Sequence, residues 1–101
     1  MIVQMTGITE REIAAAKPGQ RLAVTLSVYN ADSASATLTV AIYDKKGTSR
    51  IDRRATLDIG VASVIYTRDD PGELDEAERM VIYLAAAPTT QPNARYTVYP
   101  R

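Results

Sequence analysis

The chain has 101 residues, 46 % of them hydrophobic, which suits one domain with a modest core and is too apolar for a disordered tail. It holds no cysteine and no histidine, so a disulfide framework, a thiolate nucleophile, an imidazole base and the commonest zinc ligand are excluded together. Twelve Lys and Arg balance twelve Asp and Glu, and zero formal charge argues against a sequence-independent grip on nucleic acid.

The opening "MIVQMTGITERE" has no basic segment followed by a long apolar one, and no apolar run approaches a membrane span. Neither a signal peptide nor a membrane partner is expected. Residues 1–17 read as an N-terminal arm or edge strand. Within them "TEREIAAAK" (9–17) predicts a helical turn or two, because Thr9 can cap and Glu12 follows three residues on, before Pro18 and Gly19 stop it. From 21 to 29, Leu22, Val24, Leu26 and Val28 alternate with Ala23, Thr25, Ser27 and Tyr29, as a half-buried strand requires. From 36 to 44 the inward set is Leu38, Val40 and Ile42, with Thr37, Thr39, Ala41 and Tyr43 facing out. The joining "NADSAS" is rich in turn formers, which predicts that the two strands pair as an antiparallel hairpin.

A turn at "DKKG" leads into "SRIDRRATLDI", with Ile51, Ala55, Leu57 and Ile59 on one parity and mostly charge on the other, the pattern of a protected edge strand. "VASVIYTR" (61–68) has β-branched residues on both parities, so its buried face is open. Pro71 and Gly72 mark a loop. "RMVIYLAAA" (79–87) is a strand with Met80, Ile82 and Leu84 inward, "PTTQPN" (88–93) a turn, and "ARYTVYP" (94–100) the last strand. Six to eight short strands with little helix predict a single all-β domain over 1–101, a small antiparallel β-sandwich of immunoglobulin-like or jelly-roll-like type.

Two segments concentrate charge. Residues 44–54 hold Lys45, Lys46, Arg50, Arg53 and Arg54; residues 69–78 hold Asp69, Asp70, Glu73, Asp75, Glu76 and Glu78. The basic run is interrupted by Asp44 and Asp52 and has no tyrosine between Lys45 and Arg54 to stack a base, so a charged contact with a protein neighbour or a solvated face is favoured over nucleic acid. The acidic run is the only dense group of catalytic-type side chains. Paired carboxylates could cleave glycosides across a cleft, and Asp69, Asp70, Glu73 and Asp75 are hard donors for calcium, but the order "DDPGELDE" is not that of an EF-hand loop and a chain this short has little material for a cleft. The reading is therefore no enzyme, no metal and no cofactor. Tyr29, Tyr43 and Tyr83 all fall on outward parities in a chain without Phe or Trp, which points to ordinary strand propensity or to a flat patch suited to a subunit contact.

The stretch "KPGQRLAVTLSVYNADSASATLTVAIYD" resembles a class of small β-sandwich virion structural proteins of tailed bacteriophages, written as a P-G-K/Q turn, an alternating strand ending in V-x-N, small residues, then a second alternating strand. Pro18, Gly19 and Gln20 stand at the first element and Val28, Tyr29 and Asn30 at the second. "LDEAERMVIYLAAAPTT" is similar to that class's L-x-x-G-E-x-V-x-V-x-A-S/A-A segment, except that Glu76 and Ala77 stand where the pattern has glycine. The likeness spans about residues 17–98. It implies a non-catalytic capsid decoration (cement) protein or a tail accessory protein, made in the host cytoplasm and carried on the virion. Its partners would be the major capsid protein or a tail protein, and copies of itself as a trimer or dimer. A receptor- or carbohydrate-binding module is the alternative, and a calcium-dependent or catalytic domain using 69–78 a distant third.

Overall fold

A computed structural model describes residues 1–5 and 7–101. Among these the chain forms nine strands and no helix: β1 (Ile2–Gln4), β2 (Arg11–Ala15), β3 (Leu22–Tyr29), β4 (Ala36–Tyr43), β5 (Ser49–Leu57), β6 (Ala62–Tyr66), β7 (Gly72–Leu74), β8 (Arg79–Leu84) and β9 (Asn93–Pro100). One sheet runs β1-β9-β3-β6, with β7 on the same flank of β3 as β6; the other runs β2-β8-β4-β5, and every pairing is antiparallel. The two sheets stack as a small β-sandwich. Three-residue β1 and β7 bring the strand number above the expected six to eight.

The period-2 pattern decides the core. Val24, Leu26 and Val28 of β3 face Leu38, Val40 and Ile42 of β4 and Met80, Ile82 and Leu84 of β8, all at most 1 % exposed. Leu57, Leu74 and Met5 are buried in the same cluster.

Alternation is silent about pairing, and here the structure corrects the sequence reading. β3 and β4 are not a hairpin: they lie in opposite sheets, β3 bonded to β9, β6 and β7, and β4 to β5 and β8. The "NADSAS" segment crosses the sandwich instead. Asn30 is fully buried there, its Nδ2 donating to Ala34 O and Leu57 O at 3.0 Å each while its Oδ1 accepts from Asp32 N at 3.0 Å. Asp32 accepts in turn from the backbone N–H groups of Ser33, Thr90 and Thr89, which hold its carboxyl below the usual range against the opposing effect of burial. Among the described residues the only in-sheet hairpin of consecutive strands is β4–β5, whose turn Asp44 closes by accepting from Lys46 N and Thr48 N, with Gly47 at φ +84°.

Residues 11–15 are strand rather than helix. A bulge at Ile13 lets both Ile13 and Ala14 face the core, and backbone pairing with β8 outweighs the helical preference of the alanine run. Thus 1–17 supplies an edge strand to each sheet. The 75–78 turn uses Ala77 at φ +61°, a left-handed conformation that glycine would adopt without strain.

Candidate interaction face

The two charged segments meet along one side of the sandwich, where the edge strand β5 stacks against β6. β5 is bulged opposite Val40 and Ala41, and Asp52 is the extra residue. The bulge resets parity: Arg53, Ala55 and Leu57 keep the inward direction, Arg53 at the seam between the sheets, whereas Ile51 beyond the bulge is 51 % exposed. Ile59, placed on the same inward parity, lies past the strand and is exposed. Across the seam, Tyr66 is buried and donates its hydroxyl to Asp52; burial first, and this hydrogen bond second, push its pKa well above that of a free phenol. The Arg53 guanidinium lies 4.5 Å from the Tyr66 ring centroid, donates to Ile65 O, and pairs with Asp70 at 3.1 Å. A second bulge explains why β6 shows no parity in sequence: Ile65 and Tyr66 are both buried.

Within one molecule, therefore, the basic and acidic segments partly neutralise each other. Arg50 pairs with Glu78 at 3.0 Å and Arg53 with Asp70, while Glu73 and Asp75 engage Arg101, and Asp75 also Arg21. The paired carboxylates of 69–78 are taken up by Arg21, Arg50, Arg53 and Arg101, and among the described residues no three acidic side chains converge as metal ligands would. Lys45, Lys46 and Arg54 have no ion-paired carboxylate among the described residues.

Of the tyrosines, the register brings two together. Tyr43 stands beside Arg79 and Tyr83 beside Thr39 on the outer face of the four-stranded sheet, with Arg54 in the Thr39 row and Ile51 in the row of Ala41 and Val81. The middle of this face is Val81, Ala41 and Thr39, which are 1 %, 3 % and 5 % exposed although they point away from the core. Larger neighbours pave them over. Tyr43 is held by its hydroxyl donating to Glu10 and by Arg79 stacked 4.0 Å above its ring, and the bond to Glu10 raises its pKa. The surface of this face therefore comes from the partly exposed Tyr43, Tyr83 and Arg79 and from the exposed Ile51 and Arg54 around that buried middle.

Tyr29 is elsewhere, on the outer face of the five-stranded sheet beside Asn93 and Ala62. There Ile2, Val64 and Tyr29 are 61 %, 64 % and 46 % exposed, and an open depression of about 600 Å³ is lined by Ile2, Thr25, Val64, Arg95 and Tyr96. Sequence reasoning passed over Asp52 and Tyr66, whose partnership depends on two bulges that alternation does not announce. Comparison of the chain with protein-family models, curated proteins and solved structures returns no significant match.

Proposed function

We propose that the chain is a non-catalytic structural protein of a tailed-phage virion, most concretely a capsid decoration protein that binds the assembled shell and stabilises it. One observation carries the docking surface: the paved outer face of the four-stranded sheet, where Tyr43 and Tyr83 border side chains already dehydrated. Tyr43, fixed by Glu10 and Arg79, loses little side-chain entropy on docking, and the partly exposed rings of Tyr43 and Tyr83 supply apolar contact area. The assignment to a virion rests on the resemblance of residues 17–98. The exposed Ile2, Val64 and Tyr29 of the opposite sheet support self-association into a dimer or trimer, since apolar side chains gathered on one face favour burial. The major capsid protein is the partner of the first face and a second copy that of the other.

The experiment is co-sedimentation with capsids that lack the protein, followed by melting of bare and decorated shells. A ligand bound only to the assembled form raises its transition by mass action. Decorated shells should melt higher, and Tyr43→Ala with Tyr83→Ala should abolish the difference. A protein that neither sediments with shells nor shifts their melting refutes the reading. The depression beside Arg95 and Tyr96 favours one second reading, a tail accessory module that binds receptor carbohydrate, which binding to a glycan array would support.

A further inference from the structure

Cations and carboxylates cancel in the formal charge, yet the fold uses them unequally. Among the described residues ten of the twelve carboxylates are engaged by an arginine or a hydrogen-bond donor, leaving Asp58 and Asp69. Among the described residues seven cations have no ion-paired carboxylate, and three of these, Lys45, Lys46 and Arg54, lie on the β4–β5 hairpin. The same hairpin carries the longest edge strand of the sandwich. Among the described residues nine-residue β5 is bonded through its backbone to β4 alone, and Ser49–Asp52 and Arg54 are exposed.

We propose that β5 is the docking edge for an extended acidic segment of a partner protein, which adds to the four-stranded sheet as a further strand. This rests on the assembly reading above and supplies the chemistry of the partner. Strand addition pairs the free edge's alternating N–H and C=O groups, and side chains opposite β5 give the specificity. On the outer face the added strand sets a carboxylate opposite Arg54 and an apolar residue opposite Ile51. Arg54 stands in the Thr39 row, four residues along β4 from Tyr43, where the hairpin tip begins. At strand rise that is roughly 13 Å, so a second carboxylate about four residues on reaches Lys45 or Lys46.

Two other occupants fit less well. A second copy of β5 would set Arg50, Arg53 and Arg54 against like charge, and among the described residues a copy offers only Asp58 and Asp69 as uncommitted acids. A nucleic-acid backbone lacks amide donors for the edge carbonyls and leaves Ile51 wet.

The test uses the full chain and three probes: an acetylated, amidated nonapeptide alternating Glu with Thr and Val, its Lys-for-Glu counterpart, and a twenty-nucleotide oligothymidine. Binding is read by fluorescence anisotropy, and the site by amide hydrogen exchange. The Glu peptide should bind at least tenfold tighter than the Lys peptide at 0.1 M salt, lose that advantage at 1 M as the Debye length falls to about 3 Å, and protect amides of β5. Lys46→Glu with Arg54→Glu, both exposed and checked for an unchanged melting curve, should invert the preference, and Arg11→Glu on edge strand β2 should leave it unchanged. Equal binding of the two peptides, protection elsewhere, or tighter binding of oligothymidine overturns the proposal. A protein that sediments with shells but ignores the Glu peptide refutes strand addition alone; one that binds the peptide but no shell refutes the virion reading alone.

Discussion

Replacing Tyr66 by Phe removes one hydroxyl from the seam and leaves the ring, its contact with Arg53 and its packing in place. The lost bond is to a carboxylate, and such bonds contribute about 1.5–3 kcal/mol. Asp52 is exposed and regains water when its partner goes, so the low end applies, and the variant should be about 1.5 kcal/mol less stable at pH 7. The effect depends on pH with a definite sign. The folded phenol is raised above its ordinary value of 10.0, so above pH 10 the unfolded chain releases a proton that the folded chain keeps. The unfolded state then binds fewer protons, and wild-type stability falls with pH, by about 1.4 kcal/mol at one unit beyond the unfolded pKa. The variant's phenyl ring has nothing to titrate. The gap between the two proteins should therefore shrink from about 1.5 kcal/mol at pH 7 to near zero at pH 11, the other five tyrosines cancelling in the comparison. Guanidinium unfolding followed by far-ultraviolet circular dichroism at pH 7 to 11 measures it. A gap that stays constant over this range, or no gap at pH 7, refutes the argument from the buried phenol.

Ala77→Gly should stabilise by about 0.5–1 kcal/mol, the difference between the 1–2 kcal/mol that a left-handed residue costs and the entropy that glycine adds to the unfolded chain; urea midpoints read it, and a loss of stability would contradict the strain. Asn30→Ala should cost about 3 kcal/mol or more, because three hydrogen bonds go and buried backbone groups lose their partners; a loss under 1 kcal/mol in the same titration would show that the crossing does not depend on them. Gly72→Ala places a methyl 2.8 Å from Met80 Cε and 3.0 Å from the Tyr66 ring, and should cost about 1–3 kcal/mol with a displaced Tyr66 ring signal in NMR spectra. Asp32→Asn should destabilise at pH 7, with the gap to wild type narrowing as pH falls through 3.8 and below, since the lowered carboxyl contributes only while ionised; a gap unchanged at pH 2.5 would contradict that.

By itself the sequence determined which side chains enter the core of β3, β4 and β8, because a strand sends alternate residues to opposite faces and Leu22–Val28, Leu38–Ile42 and Met80–Leu84 keep one parity throughout. It also marked β5 as an edge, through charge that an interior strand could not leave solvated, and set the β4–β5 turn through Asp44 and Gly47. What it left open is pairing, since parity is the same whether the next strand lies beside or across. Only the tertiary structure decided it, setting β3 and β4 in opposite sheets with Asn30 and Asp32 buried in the crossing between them. Tertiary pairing likewise made strand of residues 11–15 against their helical preference. The bulges at Ile13, Asp52 and Ile65 shifted parity by one residue, which put Ile51 outside and joined Tyr66 to Asp52. Outward parity correctly placed Tyr43 and Tyr83, but only the strand order could put them on one face and Tyr29 on the other, because a residue's direction is local and its neighbours are not.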